Sequence, residues 1–310
     1  MIRPMRVLLT GATGTIGSAI AGALSARGDD VVALVRDARR GRERLGAGAE
    51  LHEWPDASLG PPPAAALAGA DAVVHMLGEE IAQRWSARTR RAIRESRAAG
   101  TRAVVAALAA LPEGERPRTL VSQSAVGYYG PSDDRPIDES GPAGEDFLAG
   151  VVEAWEREAR VAEPIARVVR TRTGVVLAPS GGALAKMLPF FRLGIGGPVA
   201  GGRQFFSWVH LDDVVGAVLR CLDDAEIDGA VNVTAPVPVT NAELSRVLGR
   251  LLRRPAILPV PEIALRALYG GMASIVTTGQ RVLPARLERA GYEFRFPELE
   301  PALRDVLGRG

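Results

Sequence analysis

Gly11-Ala12-Thr13-Gly14-Thr15-Ile16-Gly17 has the residue types and the spacing to hold a pyrophosphate. Gly11 permits a tight turn, Gly14 lets the backbone come close to the phosphates, and Gly17 allows the following helix to pack tightly. A glycine pattern alone also makes plain turns. Here it follows an apolar strand, Arg6–Thr10, and opens a helix, Ile16–Ala26, that stops at Arg27-Gly28. That strand–turn–helix context is what the motif requires. Backbone N–H groups at the helix start then bind phosphate oxygens, with Thr13, Thr15 and Ile16 completing the turn. The expected ligand is a dinucleotide.

The end of the second strand, Asp30–Val35, bears on which dinucleotide. A carboxylate there serves the ribose hydroxyls of NAD, whereas an arginine forks onto the 2′-phosphate of NADP(H). The chain reads Val35-Arg36-Asp37, so Arg36 predicts NADP(H), while Asp37 leaves a ribose contact open. Met76-Leu77-Gly78 ends the fourth strand and puts apolar backbone beneath the adenosine half. No group of His, Cys, Asp and Glu has metal-ligand spacing, so no metal is expected.

The elements that must position these residues alternate strand and helix. Further strands are read at Ala72–Met76, Thr119–Ser122, Arg167–Thr173 and Val231–Val233, and helices at Ser86–Leu111 and Phe147–Ala162. Apolar, unalternating strands between helices predict a parallel sheet covered on both faces. Right-handed crossovers make that a doubly wound α/β (Rossmann) fold. After Leu177 the chain turns glycine-rich, at Gly181-Gly182, Gly194–Pro198 and Gly201-Gly202. Phe206–His210 leads into a helix near Asp212, and from Val239 the chain is mostly helical. The expected organisation is a dinucleotide-binding domain over residues 1–178, rejoined by 204–235. Residues 179–203 and 236–310 then form a smaller, mostly helical substrate lobe.

Composition removes several classes. The 310 residues are 47% hydrophobic and 24% charged, an ordinary globular balance. Net charge is +2, and Arg39-Arg40, Arg90-Arg91 and Arg253-Arg254 are scattered pairs rather than a basic stripe, which argues against a nucleic-acid partner. Lys186 is the only lysine. The lone cysteine, Cys221, lies in the apolar helical stretch Val214–Leu222 and reads as core in a reducing, cytoplasmic setting. No apolar run approaches the ~18 residues of a membrane span, and no signal peptide is evident.

The chain resembles the extended short-chain dehydrogenases/reductases, in particular their atypical, epimerase-like NADP-binding subfamily with its own small C-terminal domain. The segments that carry the resemblance begin with Thr10–Gly17, His75–Glu79 and Ser122-Gln123-Ser124-Ala125-Val126-Gly127-Tyr128-Tyr129-Gly130. They continue with Arg172–Leu177, Phe206–Asp213 and Asn232–Pro236, and end with Gln280–Pro284 through Gly291-Tyr292. Together they span nearly the whole chain. The resemblance implies that Val35 and Arg36 meet the adenosine phosphate and that Met76 and Leu77 lie beside the nucleotide. It also implies that Arg97, on a helix passing the cofactor, and Val176, near the nicotinamide, contact it. Many relatives have asparagine where Arg97 stands. Relatives often dimerise through two long helices, which leaves a homodimer open.

The same resemblance exposes a gap. Such enzymes pair a serine or threonine with Tyr-x-x-x-Lys, whose lysine lowers the tyrosine pKa so that it works as a base. Ser124 matches the serine, with Ser122 two residues away. Phe147 and Val151 stand where the tyrosine and lysine belong, and the residue four before Lys186 is Gly182. The remaining candidates are Tyr128 as proton donor, Tyr129 beside it, and Glu79 as a general acid if desolvated or else a helix cap. Neither tyrosine has an evident cation to activate it. His210 reads as structural, and His52 and His75 fall on predicted strands. Two functions fit. One is an NADP(H)-dependent oxidoreductase or epimerase acting on a small polar substrate, with sugar derivatives among the candidates. The other is a non-catalytic NADPH-binding sensor or regulatory protein that has lost the Tyr-x-x-x-Lys pair.

Overall fold

The computed structural model describes residues 4–81 and 83–309. The first half runs β1 (Arg6–Thr10), α1 (Thr15–Arg27), β2 (Asp30–Val35), α2 (Ala38–Leu45), β3 (Ala49–Glu53), α3 (Ala64–Leu67), β4 (Ala72–His75), α4 (Ala87–Ala110) and β5 (Thr119–Ala125). A short β6 (Pro136–Ile137), α5 (Phe147–Arg160), β7 (Arg167–Thr173), β8 (Val175–Leu177), α6 (Gly182–Arg192), β9 (Phe205–Phe206), β10 (Trp208–His210), α7 (Leu211–Asp223) and β11 (Gly229–Val233) follow. The chain closes with β12 (Val239–Thr240), α8 (Asn241–Leu252), α9 (Glu262–Tyr269), α10 (Ser274–Thr277), β13 (Arg281–Val282), α11 (Ala285–Arg289) and α12 (Leu299–Val306).

Seven of the strands form one parallel sheet in the order β11-β7-β5-β4-β1-β2-β3. Order reverses between β1 and β4, which opens a crevice at their carboxyl ends. Helices cover both faces. On one side Ile20, Ala21 and Leu24 of α1 pack with Val214, Ala217 and Val218 of α7. On the other, Val104, Val105 and Leu108 of α4 pack with Ala159 of α5. Both strand faces are buried in β1 and β4, which is why these strands read as unbroken apolar runs.

A separate core lies beyond the sheet. Leu184, Leu188 and Phe191 of α6 join Leu244, Leu248 and Leu251 of α8 and Leu299, Leu303 and Val306 of α12, around the fully buried Trp208. Two of the predicted boundaries shift in ways that matter. β4 ends at His75, which leaves Met76 in the turn. β5 runs on to Ala125, so Ser124 sits inside a strand instead of beyond it, because Ser124 still pairs with Arg172 of β7.

Candidate dinucleotide and active site

At the carboxyl end of β1, Gly11 adopts φ +65°, and a Cβ there would meet the Met76 carbonyl oxygen at 2.5 Å. At Gly17 a Cβ would fall 2.2 Å from the Gly11 carbonyl oxygen. Both glycines are therefore demanded by close packing. Gly14 differs. Its φ is −75°, its N–H bonds the Gly11 carbonyl at 3.0 Å, and a Cβ would touch only that oxygen, at 3.3 Å. Gly14 and Thr13 are exposed, whereas Thr15 and Ile16 are half-buried. No side chain caps α1 and no acidic residue lies in its first turn. Its leading N–H groups are thus left for an anion.

A hydrogen-bonded chain braces this turn from behind. Thr101 Oγ1 donates to the Arg97 carbonyl at 2.7 Å, so it must accept from His75 Nε2 at 3.0 Å. That fixes the tautomer: His75 Nδ1 accepts from Thr10 Oγ1 at 2.9 Å, and Thr10 Oγ1 accepts from the Met76 N–H at 3.1 Å. His75 is fully buried, and burial pushes its pKa down to about 4, so the ring is neutral. A residue without functional signal in the sequence therefore ties β1, β4 and α4 together behind the turn.

At the end of β2 the two polar residues divide. Asp37 caps α2, accepting from the Arg40 N–H at 2.8 Å, and that bond holds its carboxyl below the ordinary value. The ribose contact left open for Asp37 is thus replaced by a capping role. Arg36 is exposed and, among the described residues, has no hydrogen-bond or ion-pair partner. The Val35 side chain is buried against Gly41, so only its backbone can face a ligand.

Beyond β4, Leu77 packs on Gly100 of α4. Gly78 lies against Arg97, whose guanidinium a Cβ at that glycine would approach to 3.1 Å. Arg97 is buried rather than solvated. It donates to the carbonyls of Ile93 and Glu79, lies over Trp155 at 5.2 Å, and is pushed down to about 10 by burial. Val176 sits in β8, in register with Val209 of β10.

The presumed catalytic end departs most from expectation. Ser124 is buried, and its Oγ donates at 2.7 Å to Glu156 Oε1. The same carboxylate takes a fork from Arg172, at 2.7 and 2.9 Å, and a further bond from Arg170 at 3.1 Å. Burial works to raise the Glu156 carboxyl, but these donors hold it below its ordinary value. Ser124 is thereby spent on an internal ion pair instead of being held open to a substrate. Tyr129 is equally committed. It donates to Asn232 Oδ1 at 2.7 Å and accepts from Arg172 at 3.0 Å, and burial pushes it up to about 12. Tyr128 is half-buried, its hydroxyl makes no hydrogen bond among the described residues, and its ring lies 3.4 Å from the Arg172 guanidinium. A cation therefore does stand against Tyr128, contrary to the sequence reading, although on the ring face.

Glu79 serves neither expected purpose. It is exposed, so the desolvation that general-acid chemistry needs is missing, and α4 is capped by Ser86 instead. Phe147, in the tyrosine's place, packs edge-on against Trp85 at 5.1 Å with Arg90 over its ring at 4.8 Å. Val151 is buried, and Lys186 pairs with Glu80. His210 is buried at the start of α7: Nδ1 accepts from the Asp212 N–H, Nε2 lies 3.2 Å from an Asp305 carboxylate oxygen, and the ring lies on Phe296. Among the described residues no group of His, Cys, Asp or Glu is placed to hold a metal. Nor is any helix long and apolar enough to cross a membrane. Sequence reading missed Glu156 and Trp85. A signal for Glu156 existed, since it falls at helical spacing from the buried Val152 and Ala159.

A doubly wound sheet with an open, uncapped glycine turn at its switch point defines a dinucleotide-binding protein of the Rossmann class. Comparison with known sequences narrows this. The sequence model of the NAD dependent epimerase/dehydratase family matches residues 7–234, and a domain of unknown function, DUF1731, matches 260–306. The chain belongs to that epimerase/dehydratase family, in its extended short-chain dehydrogenase/reductase form. It is 40% identical to a chloroplastic epimerase family protein SDR39U1 homolog of Arabidopsis thaliana, covering 98% of this chain and 87% of the relative. It is 36% identical to the Homo sapiens epimerase family protein SDR39U1, covering 98% and 100%. The crystal structure of human SDR39U1 (isoform2) with NADPH superposes with a TM-score of 0.86 at 35% identity, over 98% of this chain and 99% of that one. A nucleoside-diphosphate sugar epimerase from Corynebacterium glutamicum gives 0.78 at 30% identity, over 99% of this chain and 59% of that one.

Proposed function

We propose that the protein is an NADP(H)-dependent oxidoreductase or epimerase of the extended short-chain dehydrogenase/reductase type, acting on a small polar substrate. The observation that carries the cofactor choice is Arg36, exposed at the end of β2 and, among the described residues, without an ion-pair partner, while Asp37 is engaged as a cap. The NADPH in the human SDR39U1 structure supports it. Residues 11–17 would hold the pyrophosphate, Arg36 the 2′-phosphate, and Met76, Leu77, Gly78, Arg97 and Val176 the flanks. Among these, Arg97 acts mainly by supporting Gly78 and the Glu79 carbonyl. When bound, the nicotinamide gives or takes a hydride. Residues 1–178 with 204–235 form the nucleotide domain, and 179–203 with 236–310 close over the substrate. A reducing compartment such as the cytoplasm is the proposed setting, since the lone Cys221 is a free thiol.

Tyr128 is the residue left to move a proton at the substrate oxygen. Among the described residues its hydroxyl makes no hydrogen bond, and Arg172, itself locked by Glu156, holds the ring in place. The second reading, a non-catalytic NADPH-binding protein, is favoured by one observation: Phe147 is packed under Trp85 and Arg90 where an acid–base tyrosine would be free. Incubation with NADPH and a panel of carbonyl compounds, followed by nicotinamide absorbance, separates the two. Turnover that falls roughly 10²–10⁴-fold in Tyr128→Phe, with NADPH affinity unchanged, supports the catalytic reading. NADPH that binds but is oxidised by no carbonyl supports the other.

A further inference from the structure

We propose that two adjoining segments of the small lobe dock on an anionic lipid bilayer, apolar side chains entering the surface and arginines meeting the lipid phosphates. The inference does not depend on the dinucleotide reading. Among the described residues ten large apolar side chains are exposed, and six of them fall on these segments. Phe190, Leu193 and Ile195 lie around the end of α6, and Ile257, Leu258 and Ile263 lie between α8 and the first turn of α9. Leu193, Ile257 and Ile263 are 73%, 81% and 83% exposed. Single exposed apolar residues are ordinary, whereas a contiguous group marks an interaction surface.

The two segments run side by side. Gly194 lies against Pro255, and Gly197 against the Leu258 backbone. The Val260 N–H donates to the Pro198 carbonyl at 2.9 Å, and the Ala200 N–H to the Val260 carbonyl at 3.1 Å. The turn after α6 is held in shape, since the Ile195 N–H donates to the Phe190 carbonyl at 3.1 Å and the Phe191 ring fills the space beneath Gly196. Its apolar side chains are thus presented to solvent by an ordered backbone.

Charge selects the occupant. Over residues 187–203 and 251–261, arginine is the only charged residue type. Arg192, Arg253 and Arg254 are exposed beside the apolar group. Among the described residues Arg192 and Arg254 have no hydrogen-bond or ion-pair partner. With Arg309 these two surround a cavity of about 250 Å³ that Leu252 and Leu307 also line, which has room for a phosphate headgroup. A second copy docked about a twofold axis would set this basic face against itself. A protein partner would need a surface shaped to side chains from two loops, whereas a bilayer takes the shape of what enters it. Apolar side chains flanked by basic ones suit the interface of an anionic membrane.

The test floats the full chain with vesicles of phosphatidylcholine alone or with about one third phosphatidylglycerol. Only the anionic vesicles should carry the protein, and less so as salt rises. Leu193→Ser combined with Ile257→Ser should weaken binding by at least ~10-fold, with melting temperature and NADPH affinity unchanged because both side chains already face water. Arg192→Gln combined with Arg254→Gln should weaken it by about 10–30-fold. Leu59→Ser, at an exposed position after β3, should bind like the parent. No binding by the parent, equal binding to neutral vesicles, or parental binding by either double variant overturns the proposal. A dimer that the Leu193→Ser, Ile257→Ser variant disperses, without vesicle binding, gives the face to a second copy and overturns it equally.

Discussion

Lowering the pH should destabilise this protein through His75 before it protonates the carboxylates. The ring is buried and neutral, with a pKa held down to about 4 by burial, against about 6.5 for an unfolded histidine. The sign follows from proton counting. Between these values the unfolded chain binds a proton that the native chain refuses, so stability falls as pH falls through the window. The full difference is about 3 kcal/mol, and about 2 kcal/mol of it is already lost at about pH 5. Glu156 is held below its ordinary value and so titrates lower still, which leaves the window from about pH 7.5 to about pH 5 to the histidines.

The assay is urea unfolding of the parent and of His75→Gln across that window. The variant loses stability at every pH, because Thr10 and Thr101 lose their ring partner. What is read is the slope. His52 and His210 remain in both proteins and subtract, so the parent should lose about 2 kcal/mol more than the variant on acidification. Parallel curves would mean that the ring protonates in the native state, and the network behind the nucleotide turn would then be misdrawn. NADPH affinity is a second readout, since Thr10 precedes Gly11 and its hydroxyl bonds the Met76 N–H.

Three further outcomes follow. Arg36→Ala should cost NADPH about 1.5–3 kcal/mol of binding and NADH little, by calorimetry; equal losses would show that Arg36 does not read the 2′-phosphate. Gly14→Val should fold and fail to bind NADPH, whereas Gly17→Ala should lower the melting temperature, because its Cβ would lie 2.2 Å from a carbonyl oxygen; a folded Gly14→Val with parental affinity would place the phosphate elsewhere. Glu156→Gln should destabilise by about 3–5 kcal/mol in urea, since it strips the partner from a buried Arg172, and a neutral result would mean the pair is hydrated.

The sheet was legible because its strands are apolar on both faces and its helices keep one stripe. Val151, Val152, Trp155 and Ala159 announce the buried side of α5. The glycine turn was legible because each glycine has a steric reason that recurs wherever a helix follows a strand over a phosphate. What escaped the sequence is pairing across distance. Ser124 and Glu156 are 32 residues apart, and Arg172 is a further 16 from Glu156; nothing local marks them as partners. Asp37 was ambiguous for a related reason, since a carboxylate before a helix serves equally as a cap or a ribose ligand until the geometry is seen.

The buried ion pair also gives Ser124 a structural reason to be a serine. Ser124 donates to a carboxylate that would otherwise need another donor in the core, a role that needs no substrate. Arg172 then does two things with one charge. It neutralises Glu156 through its fork, and it offers its face to Tyr128 and an edge nitrogen to Tyr129. The two adjacent tyrosines are thereby made unequal: one hydroxyl is bonded to Asn232 in the core, and the other makes no hydrogen bond among the described residues. Ser124→Ala tests this division of labour. If the serine is structural, its loss should cost about 1.5–3 kcal/mol of stability while the NADPH-dependent turnover of any accepted carbonyl survives in the folded fraction. If turnover collapses at unchanged stability, the serine faces the substrate and the ion pair is only its neighbour.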